Sequence, residues 1–243
     1  MRLIHNTKAD VVLLGREREG DENLALRYLA AALEKAGHRP HILPLCGPPD
    51  FSGAADLILR KDPVLVGLSI SDGDMAIDAL AFARYLRGRG YSGHLTCGGT
   101  LATLIRHELL ERHQGIDSVI RHAGEVPIVE LADILAAGKS LEGVPGMTTR
   151  EGDGAPAHVA DPMPLRLHPK RKKKLPKLLG VPSARLLASR GCPGRCPYCG
   201  PAAPWSKSRP ILIPHSLCPA CFPLLPDKAL DLTHSLVLAY PCR

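Results

Sequence analysis

The chain has 243 residues, 45% of them apolar and 4% aromatic, and a net charge of +7. That is enough for one large domain or two small ones with an ordinary core, and the lack of any apolar run of about eighteen residues excludes a membrane-spanning helix. The charge is uneven: residues 1–161 carry 17 Lys/Arg against 22 Asp/Glu, whereas residues 162–226 carry 12 Lys/Arg and no acid, so overall basicity argues for no nucleic-acid partner of the larger part.

In chain order, Met1–Lys8 has no extended apolar stretch, so no secretory signal is read there and the cytoplasm is the expected location. Val11–Gly15 is a short apolar run ending in Gly and reads as a buried strand. A polar loop, Arg16–Asn23, leads to a helix over Leu24–Gly37, with Leu26, Leu29, Leu33 and Ala36 on one face. His41–Leu45 is a weaker strand, limited by Pro44 to an edge or a strand end. Ala54–Arg60 reads as a short helix, and Pro63–Ile70 as the most strand-like run in the chain. A helix over Met75–Arg87 follows the loop Ser71–Asp74. His94–Cys97 is a fourth strand that runs into Gly98–Gly99, and a helix from Thr100 to about His113 comes next. Asp117–Ile120 is a fifth strand, and Gly124–Glu125 precede a helix over Pro127–Ala137, which Gly138 ends.

Five strand-helix units in succession predict an α/β fold, a five-stranded doubly wound parallel sheet with helices on both faces. Ligands of such sheets bind beyond the carboxyl ends of the strands. The loops at that edge are 15–23, 46–50, 69–74, 97–100 and 121–125. They place Ser69, Ser71, Gly98, Gly99, Gly124 and Glu125 together as candidate ligand contacts, with Gly98–Gly99 open to close approach of a flat or bulky group. Each Gly and Asp there is equally well explained as a turn residue.

Residues 141–161 read as a small extension or hairpin, Val144–Thr149 followed by Glu151–Gly154. The chain then becomes linker-like, with Pro162, Pro164, Pro169 and Pro176 around the basic run Lys170–Lys174. No aromatic residues are interleaved with that run for base stacking, so it reads as a solvated linker ahead of a nucleic-acid contact. Residues 201–243 are proline-rich with weak periodicity.

Of the eight cysteines, Cys46, Cys97 and Cys242 are isolated and five lie between residues 192 and 221. In a chain read as cytosolic they suggest metal or redox chemistry rather than disulfides. Two sets compete. Cys192, Cys196 and Cys199, at C-x3-C-x2-C spacing in a Gly-rich loop, suit three irons of a four-iron, four-sulfur cluster and leave Cys218 and Cys221 idle. Cys196, Cys199, Cys218 and Cys221 form two C-x2-C knuckles suited to one tetrahedral zinc and leave Cys192 idle.

The stretch Leu187–Cys199 resembles the cluster loop of radical S-adenosylmethionine enzymes, down to the aromatic Tyr198 before the third cysteine. Asp21–Leu33, Gly67–Ile70, Leu86–Gly99 and Ile116–Glu125 are together similar to the cobalamin-binding domain that precedes the radical domain in one large class of these enzymes, often methyltransferases. The resemblance implies a flavodoxin-like or Rossmann-like cobalamin-binding domain over residues 9–140. A basic extension (141–183), the start of a radical domain with its cluster loop (184–200) and an irregular tail (201–243) would follow. It implies cobalamin at the carboxyl edge, with Ser69 and Gly98–Gly99 near the nucleotide tail. It also implies a four-iron, four-sulfur cluster on Cys192, Cys196 and Cys199 that binds and cleaves S-adenosylmethionine.

Two departures from the pattern accompany it. Many corrinoid domains present an axial His from a D-x-H-x-x-G loop after the first strand, but Arg16–Asn23 contains no His. His41, His94 and His122 have no spacing that marks them as cobalt ligands. A full radical-enzyme barrel runs to roughly 250 residues, and the 44 residues after Cys199 lack strand-helix alternation. The expectation is therefore an incomplete radical segment, truncated or out of frame, with little turnover by itself. The alternatives are a non-catalytic corrinoid-binding module and a zinc-ribbon protein whose basic linker contacts nucleic acid.

Overall fold

The computed structural model describes residues 8–17, 23–141 and 143–156, and, further on, the backbone of short strand pieces at 177–178, 181–185, 189–190, 211–212 and 237–239. The first part is a sheet of seven strands covered on both faces. Its elements are β1 (Asp10–Gly15), α1 (Leu24–Lys35), β2 (Arg39–Pro44), α2 (Phe51–Lys61), β3 (Leu65–Ser69), α3 (Gly73–Gly88) and β4 (His94–Gly98). They continue with α4 (Thr100–Leu104), α5 (Arg106–Arg112), β5 (Ser118–Ile120), α6 (Glu125–Ala136), β6 (Met147–Thr149) and β7 (Gly152–Asp153).

The strand order is β2-β1-β3-β4-β5-β6-β7. The first five run parallel, in the register Val12↔His41, Val12↔Val66, Val66↔Leu95 and Cys97↔Val119. β6 and β7 are antiparallel. The α/β class and the five parallel strands are as expected from the alternation. The hairpin read in residues 144–154 also forms, and it adds two strands to the sheet beside β5.

The apolar runs form central strands because both faces are covered. Val12 and Leu14 of β1 join Val66, Leu68, Phe82 and Leu95 under α2 to α5. Val11 and Leu13 join Leu26, Leu33, Ile128 and Leu131 under α1 and α6. All four β1 residues have no solvent-accessible surface, and each buried side chain of this kind is worth about 1.5–3 kcal/mol relative to exposure. Buried on both faces, the strands read as continuous apolar runs rather than alternating ones.

Caps fix the helix starts on the carboxyl side. Asn23 accepts from the Leu26 amide at 3.3 Å to open α1, and Asp72 accepts from the Met75 amide at 2.8 Å to open α3. The helix expected from Thr100 to His113 is instead two, α4 and α5, meeting at Ile105, where the backbone leaves helical geometry (φ −103°, ψ 22°). The Arg106 guanidinium is engaged with Asp153 of β7 on one side and with the Thr103 carbonyl on the other.

The winding direction reverses between β1 and β3, because β1 lies between β2 and β3. A crevice opens at the carboxyl ends of the strands at such a reversal. No helix among the described residues is long and apolar enough to cross a membrane.

Candidate functional site

A cavity of about 260 Å³ lies on the α1/α6 face of the sheet, at the carboxyl halves of β1, β3, β4 and β5. Its floor is Leu13, Gly67–Ser69, Thr96–Gly99 and Ile120, and its walls are Leu24, Tyr28 and Leu29 of α1 and Ile128 of α6. The lining is mainly apolar. Its volume lies near the low end of small-molecule pockets, about 300–1,000 Å³.

Ser69, Ser71, Gly98, Gly99, Gly124 and Glu125 all line this one cavity. Ser69 ends β3, Gly98 ends β4 and Glu125 starts α6. Glu125 is buried, 5% exposed, in the first turn of α6. Ser71 is exposed at the mouth.

The glycines have distinct reasons. Gly99 has φ +117°, and a Cβ there would lie 2.5 Å from the Ile70 carbonyl oxygen. It is glycine because the chain after β3 crosses directly over it, held by the Ile70 amide donating to the Gly98 carbonyl at 2.7 Å. Gly99 thus serves the fold as well as the cavity. Gly124 is limited by space: a Cβ would stand 3.2 Å from Leu29 and narrow the cavity between α1 and α6. At Gly67 a Cβ would stand 3.0 Å from Leu13 in the cavity floor.

Other lining residues were not singled out from sequence. Thr96 and Cys97 belong to the fourth strand, and nothing in the sequence assigns its residues to one face or the other. The Cys97 thiol packs on the opposite face of the sheet, in the core under α2 to α5, where full burial pushes its pKa well above the ordinary thiol range. His122 also lines the cavity, with its backbone in the left-handed region at φ +58°. No sequence signal marks that conformation in a non-glycine residue.

The other two histidines point elsewhere. His41 Nε2 lies 3.0 Å from Asp10 at the amino end of β1. His94 Nε2 lies 2.8 Å from Ser118 Oγ at the amino end of β4. Ser118 Oγ donates to Thr96 Oγ1 at 2.9 Å, and Thr96 Oγ1 donates to the Ser118 carbonyl at 3.1 Å. With its one proton so used, Ser118 Oγ accepts from His94, which assigns the proton to Nε2.

The described ends of the loop after β1 meet at Glu17 and Asn23. Glu17 is buried against the Arg27 guanidinium of α1 and accepts from the Asn23 amide at 3.2 Å. Removing Glu17 would strip the buried Arg27 guanidinium of its ion-pair partner. Exposed Cys46 donates from Sγ to the Glu17 carbonyl at 3.5 Å.

Among the described residues no three His, Cys, Asp or Glu side chains are placed to hold a metal ion. Cys192, Cys196, Cys199, Cys218 and Cys221, and with them the cluster and zinc readings, lie outside the described residues, as does the basic run Lys170–Lys174.

Comparison with known proteins bears on this edge. The model of the B12 binding domain family matches residues 7–132. An uncharacterized methyltransferase of Pyrococcus horikoshii is 27% identical over 191 residues, covering 76% of this chain and 41% of the relative. The hopanoid C-3 methylase of Methylococcus capsulatus is 28% identical over 188 residues, covering 73% of this chain and 35% of the relative. The chain therefore spans less than half the length of these relatives. Among solved structures, the radical S-adenosylmethionine methyltransferase TsrM of Kitasatospora setae, with tryptophan substrate and a SAM analog bound, superposes with TM-score 0.54 at 22% identity. It covers 65% of this chain and 31% of its own. The cobalamin-dependent S-adenosylmethionine radical enzyme OxsB, with aqua-cobalamin and S-adenosylmethionine bound, gives TM-score 0.53 at 18% identity, over 64% of this chain and 23% of its own. At these identities the structural likeness shows the fold.

Proposed function

The chain belongs to the B12-binding domain family, and from that premise we propose that the cavity under α1 and α6 takes the nucleotide tail of cobalamin. In this reading Ser69, Gly98, Gly99 and Gly124 border the tail, and Ser71 and Glu125 complete the mouth. The observation that carries it is that these six positions, scattered over the ends of three strand-helix units, line a single cavity. The fit is physical as well. An apolar slot of about 260 Å³ is too small for a whole corrinoid and suits a flat group inserted edgewise, with the rest of the cofactor over the open carboxyl edge. The glycines keep that slot open, since a side chain at Gly124 would narrow it against Leu29.

When bound, cobalamin supplies the cobalt-centred methyl-transfer chemistry, and the protein supplies binding and orientation. The chain's own part is steric and electrostatic. The sheet floor, from Leu13 to Ile120, closes the inner end of the cavity. The loop after β1, residues 16–23, contains no histidine, so that loop would offer bound cobalamin no imidazole.

The reading extends to the cysteine loop. Cys192, Cys196 and Cys199 hold a four-iron, four-sulfur cluster that binds S-adenosylmethionine, placing the chain with the cobalamin-dependent radical methyltransferases. Supporting this are the loop's spacing and the relatives described above. In this reading residues 7–132 supply the cofactor-binding part of such an enzyme.

Anaerobic reconstitution of one sample with iron, sulfide and hydroxocobalamin tests both halves. A shift in the corrinoid visible spectrum with about one corrinoid bound per chain supports the cavity assignment, and an unchanged spectrum overturns it. Iron and sulfide near four each support the cluster, whereas one zinc without sulfide overturns it in favour of Cys196, Cys199, Cys218 and Cys221.

A further inference from the structure

Helix α3 carries two apolar faces. One is buried: Ala76, Ala79, Phe82, Ala83 and Leu86 pack into the core. The other is open. Ile77, Ala81 and Tyr85 recur every four residues, so they share one stripe of the helix surface, and all three are exposed. Among the described residues three large apolar side chains are exposed, Ile77 at 70%, Leu104 at 40% and Tyr85 at 36%, and two of them stand on this stripe. Apolar side chains scattered singly over a surface are ordinary. An aligned stripe on a helix whose other face already fills the core is not. Tyr85 is also held in place: its ring centroid lies 5.8 Å from that of Phe51, and its hydroxyl accepts from Arg89 Nη1 at 3.0 Å. An aromatic ring already fixed loses little freedom when a partner covers it.

The charges beside the stripe divide along the helix. Asp74 and Asp78 lie in its amino half, and Arg84, Arg87 and Arg89 in or just beyond its carboxyl half. Some are already engaged: Asp78 with Arg16 at 3.5 Å, Arg87 with Asp117, and Arg89 with Asp56 at 2.8 Å. Asp74 and Arg84 are exposed and make no such bond among the described residues. The division suits the dipole of the helix itself, and it is also self-complementary. A second α3 laid antiparallel about Ala81 brings the acidic half of each helix to the basic half of the other, whereas a parallel one sets like charge against like. The small Ala81 side chain at the centre lets the two helix axes approach.

We propose that α3 is a self-association surface: two copies of this chain pair through antiparallel α3 helices, with Ile77 and Tyr85 of each covering the stripe of the other around Ala81. This face of the sheet is opposite the α1/α6 cavity, so pairing leaves the cavity open, and the inference stands independently of the cobalamin reading. One helix face buries less than the roughly 1,200 Å² of a standard interface, so the pair is a weak, reversible dimer with a Kd of about 1–100 µM.

The test is sedimentation velocity of the full 243-residue chain under reducing conditions, from about 1 to about 300 µM. The sedimentation coefficient should rise with concentration as monomer gives way to dimer. Ile77→Glu, at a position 70% exposed, should leave the urea midpoint unchanged and weaken pairing about 10-fold or more. Asp74→Arg and Arg84→Asp should each pair about 3-fold or more weakly alone, because each sets like charges together twice across the two-fold axis. An equimolar mixture of the two should recover wild-type pairing, since acid again meets base at both ends. A wild-type chain that stays monomeric at about 300 µM overturns the inference and leaves the stripe to another partner. Dimers that Ile77→Glu does not weaken overturn it by placing the contact elsewhere. Weakened pairing in both charge variants with no recovery in their mixture overturns the antiparallel arrangement, and with it the proposal.

Discussion

The two edges of the sheet are built from similar residue types and put to opposite uses. At the amino edge, polar groups close on one another. Asp10 takes Arg39 at 2.6 Å and His41 at 3.0 Å. Arg87 joins Asp117 and also caps the carbonyls of Gly115, Tyr91 and Gly93, the last at 2.8 Å. Tyr91 donates its hydroxyl to the Pro63 carbonyl at 2.9 Å. At the carboxyl edge the elements hold each other through backbone, as in the Ile70–Gly98 pair, and glycines keep an apolar cavity open. Polar side chains satisfied by the protein stabilise it, and a concave apolar surface with a few polar groups is left for a ligand. The comparison predicts that substitutions at the two edges separate stability from cofactor affinity.

The strongest challenge is Gly99→Val, the one carboxyl-edge change that should damage both. A side chain at φ +117° with its Cβ 2.5 Å from the Ile70 carbonyl oxygen strains the backbone and pushes the β3 and β4 loops apart. We expect a loss of about 3 kcal/mol or more, read as a lower urea midpoint, together with loss of the corrinoid spectral shift. Next is Arg87→Ala at the amino edge. It strips the Asp117 ion pair and three carbonyl caps, with an expected cost of about 2–4 kcal/mol. The folded fraction should still bind corrinoid within about 3-fold of wild type. A large change in affinity with stability intact would break the separation of the edges.

Gly124→Val sharpens it from the other direction. The new side chain enters the cavity against Leu29 at an ordinary backbone angle (φ −90°). Stability should change by about 1 kcal/mol or less, while corrinoid affinity falls about 10-fold or more as the slot narrows. Titration and urea unfolding of the same preparation measure both.

Much of the carboxyl edge was legible because parallel strands bury both faces. Runs such as Val11–Leu14 and Leu65–Leu68 are uninterrupted, their ends are marked by Gly or Ser, and in a doubly wound sheet those ends converge. Ser69, Gly98 and Gly124 could thus be brought together from their places in the chain alone. What escaped depends on contacts distant in sequence. The break at Ile105 lies beside Arg106, which pairs with Asp153 nearly fifty residues later. The addition of Met147–Asp153 to the sheet rests on backbone pairing with β5. The left-handed His122 sits between Thr103 and the hairpin. Local propensity carries none of these. The reason Gly99 is glycine was only half legible, since the crossing of Ile70 over it is a tertiary fact.

The smallest expected effect is on pH dependence, and its sign separates the edges once more. His94 is bonded to Ser118 at the amino edge, and its pKa is lowered chiefly by burial, against the pull of Asp117 and with the push of Arg87. A depressed imidazole pKa means the unfolded chain binds more protons than the folded one at mildly acidic pH. The stabilisation is therefore complete above the unfolded value of about 6.5 and is lost as pH falls below it. His122 adds a loss of the same sign from the carboxyl edge. Asp10, held down to about 2 mainly by Arg39, contributes a separate loss only below about pH 4, and its exposure keeps that contribution small. Urea unfolding between pH 8 and 5 should show a declining midpoint. His94→Gln, which can still donate to Ser118 Oγ, should flatten part of that decline without altering corrinoid affinity at pH 7.5. If His94→Gln instead weakens corrinoid binding at pH 7.5 with the unfolding profile unchanged, the bonded chain from His94 through Ser118 to Thr96 in the cavity floor transmits to the ligand, and the two edges act as one.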